Sequence, residues 1–359
     1  MKINREQFLN TLNAVKAGLS PREFIEQSSC LVFRDGEVMT FNDEVACRMA
    51  VDLPITGAVQ AANLFSILEK IDDPELMVSE SEKGELEFRG KRKAFGVTKD
   101  EEIFLPIDKV ERPEKWHPLP PEVVEGIALV QHCVSQDESR FLLTCIHLTP
   151  EYVEACDNLQ LMRCRMNTGL RTSVLVRGSS VSHITSLGVN RVSLTKSWIH
   201  FTNAEGLIYS CRRFTEDYPS LDSLFHLKDS HKVAIPKTLA DASDRAAVFA
   251  SDRAGDPVLC VSLSDGRICI KGEGVTGWYR EVKKVAYHGP AMQFIIHPDL
   301  LKHISSQYDE ALIGENKLKI QGGSWEYVTA LGRPEDLEED KEESEPSKRT
   351  KKRSGDATE

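Results

Sequence analysis

Apolar residues recur at helical spacing in three segments that begin about 115 residues apart. The segments begin near Gln7, Glu122 and Lys237. In the first segment, Phe8, Leu12 and Val15 form one apolar stripe, and the remaining positions are polar. A single stripe of this kind predicts a helix that lies on a sheet with its other face in water. We therefore predict three equivalent surface helices.

Further features recur with the same period. Hairpin turns are predicted at Asp35-Gly36, Thr149-Pro150 and Asp265-Gly266. A second helical segment recurs near Ala58, Val181 and Pro298, and a strand pair closes each unit: LEFRGKRKAFGV, WIHFTNAEGLIYS and LKIQGGSWEYV. A repeat of about 115 residues buries its own core, so the period predicts three tandem small domains rather than a solenoid. Each domain is itself roughly two-fold repeated, which gives six strand-helix halves.

The predicted fold class is α+β, with two helices packed on antiparallel sheets in each domain. The predicted domains are 1–115, 116–228 and 229–333, with linkers where proline and charge cluster. The segment 334–359 has one leucine, no aromatic residue, ten acidic and six basic residues. Such a segment buries no core, so it is predicted to be a disordered, solvated charged tail.

Composition narrows the location and the class of function. The chain is 40% hydrophobic, carries a net charge of −11 and has no apolar run of the roughly 20 residues that a membrane span needs. Its first residues are polar, so no secretory signal is predicted, and we expect a cytoplasmic protein without membrane contact. The negative charge argues against a protein that coats nucleic acid by bulk positive charge. Any DNA contact must therefore come from a local basic surface.

Candidate catalytic and metal chemistry is sparse. Most of the nine cysteines lie in apolar strand-like runs, and none stand at metal-ligand spacing with the ten histidines. They are predicted to be reduced, buried small hydrophobic residues. The chain has no GxxxxGK[ST], GxGxxG, GxSxG or HExxH motif. We expect no enzyme activity, no metal and no cofactor.

Several stretches resemble, in order and spacing, the bacterial DNA polymerase III beta subunit, the sliding clamp. They are MKINREQFLNTLNAV, EACDNLQLMRCRM, DYPSLDSLF, HKVAIPKTLADASDRAAVFASD, VSLSDGRICIKG, VKKVAYHGPAMQFIIHPDLLKHI and WEYVTALGR. The resemblance covers essentially the whole body of the chain and coincides with the threefold repeat.

The resemblance implies a head-to-tail homodimer of three-domain chains that forms a closed ring around double-stranded DNA. Weak, sequence-independent phosphate contacts would let such a ring slide. A replicative DNA polymerase and a clamp loader would bind through short linear motifs. The alternative interpretation is a clamp-like protein-binding scaffold that does not encircle DNA, which the acidic balance and an altered partner groove keep open.

The resemblance also implies a partner-peptide groove between the second and third domains. Carried over by position, its residues are Leu143, Cys156, Asn158, Leu159, Gln160, Leu161, Pro219, Leu224, Val328 and Ala330. For Leu143 and Leu161, core packing is an equally good interpretation. The family's Gly-His-Arg is replaced by Asn158-Leu159-Gln160, and its closing Met-Pro-Met by Ala330-Leu331-Gly332. We therefore expect weak binding of standard clamp motifs.

Basic residues on the expected inner face are the candidates for DNA contact. They are Lys16, Arg22, Lys70, Arg140, Arg177, Arg245 and Lys302. Each alone is equally explained as a solvated surface residue, and together on one face they are more persuasive. The first helix of the second domain carries Glu122 and Glu125, which oppose such a role.

Overall fold

The computed structural model describes residues 1–81, 84–251 and 256–335. The chain divides into two compact units, 1–220 and from Leu221 onward. The first unit contains two of the predicted repeats and the second unit contains the third. The predicted boundaries near residues 115 and 228 stay a prediction, and most of the predicted charged tail lies outside the described residues.

The described part of the chain contains six α-helices. They are α1 Arg5–Val15, α2 Ala61–Lys70, α3 Pro121–Val130, α4 Gly178–Val181, α5 Leu239–Ala250 and α6 Pro298–Gln307. The strands of the first repeat are β1 Lys2–Asn4, β2 Cys30–Arg34, β3 Glu37–Phe41, β4 Val45–Ala50, β5 Gly57–Gln60, β6 Glu75–Glu80, β7 Glu85–Arg89 and β8 Ala94–Asp100.

The other two repeats have the same number of strands. The second has β9 His117–Pro118, β10 Cys145–Leu148, β11 Tyr152–Cys156, β12 Gln160–Arg165, β13 Val174–Arg177, β14 Arg191–Leu194, β15 Trp198–Thr202 and β16 Ile208–Phe214. The third has β17 His231–Ala234, β18 Leu259–Ser264, β19 Arg267–Glu273, β20 Trp278–Lys284, β21 Met292–Ile296, β22 Glu310–Ile313, β23 Lys317–Gln321 and β24 Trp325–Ala330.

Along the chain, a unit of one strand, one α-helix and three strands occurs six times. Within each repeat the two halves exchange their first strands: β1 pairs with β6 of the second half, and β5 pairs with β2 of the first. The second repeat pairs β9 with β14 and β13 with β10, and the third pairs β17 with β22 and β21 with β18. All these pairings are antiparallel. The predicted three-repeat α+β architecture with six halves is confirmed.

The sheet continues from the first repeat into the second. Strand β16 pairs antiparallel with β4, with Tyr209 opposite Cys47 and Cys211 opposite Val45. Phe41 packs against Trp198 beside this junction, with ring centroids 6.1 Å apart. Because the two strands are the last of their respective halves, pairing between last strands joins neighbouring repeats.

The first helix of each repeat buries the predicted apolar stripe. In α1, Phe8, Leu12 and Val15 are buried, and the Asn4 side chain caps the helix by accepting a hydrogen bond from the Gln7 N–H at 3.0 Å. Helix α5 lies so close to its sheet that a Cβ on Gly272 would stand 2.7 Å from the Ala246 carbonyl carbon. This position therefore requires glycine.

The second helix of the first two repeats does not begin at the predicted residue. Ala58 lies in β5, and α2 begins at Ala61, after the strand has ended. In the second repeat, α4 is a single turn that ends at Val181 and continues as a 3-10 segment, Ser182–Ser186. Glycine and serine are weak helix formers, which explains the short element. Only α6 begins at its predicted residue, Pro298.

All nine cysteines are free, and seven are buried, as predicted; Cys260 and Cys269 are half-buried. No cluster of metal-ligating side chains occurs within residues 1–81, 84–251 and 256–335. No helix in these ranges is long and apolar enough to cross a membrane.

Candidate functional site

The predicted groove residues of the first unit cluster around the turn that joins β11 to β12. The Asp157 carboxylate accepts hydrogen bonds from the backbone N–H groups of Leu159 and Gln160, at 2.6 and 2.7 Å. The Gln160 side chain is buried and donates to the His132 carbonyl at 2.9 Å. The turn is therefore held from both sides, and Leu159 projects from it with 47% of its surface exposed.

Arg140 contacts this turn through its side chain. Its guanidinium donates a hydrogen bond to the Asn158 side-chain oxygen. Arg140 was predicted to face DNA, and Asn158 was predicted to line the groove. The contact places a cation beside the turn.

Tyr218 contacts Cys156, the last residue of β11 before the turn. Its hydroxyl accepts a hydrogen bond from the Cys156 N–H at 3.1 Å and lies 3.3 Å from the Cys156 Sγ. Burial raises the pKa of the Tyr218 hydroxyl and the pKa of the Cys156 thiol. Both groups are therefore neutral at pH 7, and Cys156 has a structural role rather than a nucleophilic one.

A buried charge network supports the same sheet face, and the sequence patterns did not reveal it. Glu154 is 1% exposed and pairs with Arg163 at 2.6 Å and with His147 at 2.8 Å. The His147 ring packs against Tyr218 with centroids 4.9 Å apart, and Arg163 lies 4.3 Å from the Tyr152 ring. A glutamate inside the apolar run of β11 was the available signal, because a buried charge requires partners.

The second unit gathers its own predicted groove residues. Lys317 and Lys319 of β23 donate to the carbonyls of Leu224 and Phe225, at 3.3 and 2.9 Å. The same two lysines stand opposite Ala330 and Val328 in the β23–β24 register. Leu224 and Ala330 are exposed, whereas Val328 is 2% exposed and belongs to the core of its unit.

The remaining predicted groove residues have mixed environments. Leu161 is buried opposite Cys156 in the β11–β12 pair, Leu143 is half-buried, and Pro219 is exposed next to Tyr218. Each unit thus brings its own subset together. The groove as one set stays a prediction.

The predicted DNA-facing residues of the first repeat lie on or after its two helices. Lys16 follows α1, and its ammonium stands 5.0 Å from the centre of the Phe65 ring on α2. Lys70 is the last residue of α2, and Arg22 lies in the exposed segment after α1. All three cations are solvent-exposed.

Three other predicted DNA-facing cations have carboxylate partners. Arg177 pairs with Glu138 at 2.6 Å, Arg245 with Glu281 at 2.7 Å, and Lys302 with Asp244 at 2.9 Å. The hydrogen bonds that Arg245 donates to Glu281 raise the pKa of Arg245. Hydrogen bonds from Lys283, Tyr279 and Arg245 hold the pKa of Glu281 down at about 2. Surface pairs of this kind exchange readily with other anions.

The helices themselves carry more acidic than basic side chains. The basic residues are Arg5, Lys70, Arg245 and Lys302, and the acidic residues are Glu6, Glu69, Glu122, Glu125, Asp241, Asp244 and Asp299. The predicted opposition from Glu122 and Glu125 therefore extends to the other repeats.

A cavity of about 520 Å³ lies elsewhere in the first unit. It is bounded by the segment around Glu111 and Lys115, by Leu170, and by Thr195 after β14, and it contains no predicted site residue. Glu111 accepts a hydrogen bond from the Ser197 N–H at 3.1 Å, and hydrogen bonds hold the pKa of Glu111 below its usual value. The carboxylate therefore anchors a linker.

The architecture defines the class of the fold, which is that of the bacterial sliding clamps. The chain is similar to the DNA polymerase III subunit beta from Pseudomonas aeruginosa, with a TM-score of 0.77 and 16% identity over 93% of this chain and 99% of that one. It is similar to a sliding clamp from Bartonella birtlesii bound to griselimycin, with a TM-score of 0.81 and 16% identity over 93% and 99% of the two chains. The sliding clamp from Bacillus subtilis gives 0.77 and 16% over 92% and 98%.

No family model matches the chain, and a search of curated protein sequences found no match. The likeness therefore lies in the fold, at low sequence identity.

Proposed function

We propose that the chain is a DNA sliding clamp, a non-catalytic processivity factor that encircles duplex DNA and tethers a replicative polymerase. The observation that carries this proposal is the extent of the fold match, which spans 99% of two solved clamps and 93% of this chain. A clamp has the same repeated unit throughout because the repeat curves the protein around the duplex. A cytoplasmic location and a separate clamp loader belong to the same proposal.

Two strand edges support a head-to-tail dimer. Among the described residues, β20 pairs only with β19, and β8 pairs with β7 but meets β5 only at Lys99 and Asp100. Both strands are the last of their halves, as are β4 and β16, which pair with each other. Pairing β8 of one copy with β20 of another would repeat that junction. It would also cover edges that otherwise invite aggregation.

The surroundings of β20 have the apolar character of an interface. Trp278 at its start, Val275 just before it and Val248 on α5 are exposed by 63%, 85% and 68%. Large apolar side chains that are this exposed are typical of a protein contact. We infer that they pack against the second copy.

Native mass spectrometry tests this assembly. The wild-type chain should give a species of about 81 kDa, twice its mass of 40.3 kDa. The double substitution Val248→Glu and Trp278→Glu should shift it to the monomer mass, because buried carboxylates are costly. Leu129→Glu is the matched control, since Leu129 is 41% exposed on α3, which belongs to neither β8 nor β20. A wild-type monomer at micromolar concentration would overturn the closed ring.

A protein-binding scaffold without DNA is the second candidate function. The observation that favours it is the charge of the helices, which carry seven acidic and four basic side chains. A scaffold would use the partner groove but would show no topological hold on circular DNA.

A further inference from the structure

The third repeat has a sheet face that no helix of that repeat covers. The sheet runs β20–β19–β18–β21, and α5 packs on the face where Ile268, Ile270 and Gly272 are buried. Side chains alternate along each strand, so Arg267 and Lys271 of β19 point to the opposite face. On β20, that opposite face carries Arg280 and Lys284.

This face is positively charged within an acidic chain. We call Arg267, Lys271, Arg280 and Lys284 the basic face. Lys271 pairs with Glu273 at 2.5 Å on the same strand. Among the described residues, Arg267, Arg280 and Lys284 have no carboxylate within ion-pairing distance, and Arg280 donates instead to the Cys269 sulfur at 3.0 Å. Unpaired cations that lie together attract a multivalent anion.

The chain leaves the described region at the edge of the same sheet. Gly332 forms a bridge with Ile295 of β21, with N–O distances of 2.9 and 3.0 Å in the two directions. The last described residue is Glu335. The segment that follows therefore starts beside β21, three strands from β20.

The segment 335–345, EDLEEDKEESE, has eight carboxylates and one lysine. Crossing three strand spacings requires about 15 Å, and ten extended residues reach about 33 Å. The segment is therefore long enough to reach the basic face, and its charge is complementary to that face.

We propose that residues 335–345 dock on the basic face of their own chain. The docked segment would neutralise the three unpaired cations. The contact is electrostatic, so it should weaken strongly with salt.

Carbodiimide coupling of the full-length protein tests the proposal, because it joins only amines and carboxylates that are in contact. An equal mixture of ¹⁵N-labelled and unlabelled chains is coupled, digested and analysed by mass spectrometry. We expect Lys271 and Lys284 to be joined to residues 335–345 of the same isotope, at higher yield than the exposed Lys232. Raising the salt concentration to 0.5 M should lower the yield about fivefold.

Charge reversal provides the matched comparison. R267E/R280E keeps both reporter lysines and should lower the yield about fivefold, because the attraction becomes repulsion. R171E/R191E makes the same change in net charge on the first unit and should leave the yield unchanged. The milder R267Q/R280Q should give an intermediate yield and covers the case in which the reversal variant fails to fold.

Three results would overturn the proposal. The first is equal coupling of residues 335–345 to Lys232 and to the basic face. The second is equal loss in the two charge-reversal variants. The third is coupling between chains of different isotope, which would place the segment on a second copy. None of these results depends on DNA binding, so failure here is separate from failure of the sliding-clamp proposal.

Discussion

His200 illustrates how burial sets the chemistry of a single residue. Its ring is fully buried in β15, 2.8 Å from the Ser210 hydroxyl and 3.0 Å from the Thr195 hydroxyl. Burial lowers the pKa of His200 from 6.5 to about 4. The folded protein therefore keeps the ring neutral where the unfolded chain binds a proton.

This shift predicts a loss of stability in acid. The stabilisation is complete above pH 6.5 and is lost as the pH falls towards 4, on the order of 3 kcal/mol in the free energy of unfolding. Urea unfolding of wild type and His200→Gln at pH 7 and pH 4.5 checks this. The variant should lose less stability between the two values. Equal losses would show that His200 does not drive the dependence.

Leu159 tests the partner groove. It is 47% exposed on the turn that Asp157 holds, beside the Arg140–Asn158 contact. If the groove buries a leucine or aromatic anchor, Leu159→Glu should weaken a clamp-binding peptide at least tenfold, which corresponds to the roughly 1.5 kcal/mol of one buried apolar contact.

Fluorescence anisotropy with a labelled standard clamp motif measures this effect. Leu129→Glu on α3 is the control, because Leu129 is 41% exposed and lies outside the predicted groove. We expect weak binding by wild type, unchanged in the control. Tight wild-type binding would contradict the expected consequence of replacing Gly-His-Arg. An equal effect of both variants would contradict the groove.

The sequence identified many of these residues but not their partners. The resemblance to the sliding clamps placed Leu159 and Gln160 in the candidate groove, whereas nothing in the spacing linked Arg140 to Asn158, which lie 18 positions apart. The same limit hid the pairing of Glu154 with Arg163 and His147. Side-chain contacts across strands depend on register, which a pattern of apolar positions leaves open.

The first helices of the three repeats were the most predictable elements. Their apolar stripes are long enough to separate helix from strand. The second helices were harder, because α4 has only one α turn and contains glycine and serine. Close helix-sheet packing, which fixes glycine at position 272, has no periodic signal at all.

Gly272 gives a test at the level of helix and sheet. Gly272→Ala would drive α5 away from β19, since the new methyl would overlap the Ala246 carbonyl. We expect a loss of about 1–3 kcal/mol or more in the free energy of unfolding, measured by urea titration. Gly323→Ala is the control, because no atom lies within 4 Å of its Cβ position. Equal stability of the two variants would contradict the close packing.

The repeat predicted the whole molecule better than any motif did. The period predicted three domains of two strand-helix halves each, and the structure adds the three strands that follow each helix. The exchange of first strands and the junction of β4 with β16 could not be predicted, because both require pairing between distant segments. The acidic helices suggest that a ring of this protein would hold DNA by enclosure rather than by charge.

Retention on DNA tests enclosure most directly. The labelled protein is loaded on nicked circular DNA by its clamp loader with ATP and separated from free protein by gel filtration, and the DNA is then cut once. We expect the protein to remain on the circle, even at high salt, and to leave after the cut. Retention on the linear product, or equal loss from the circle before the cut, would contradict a clamp that encircles DNA.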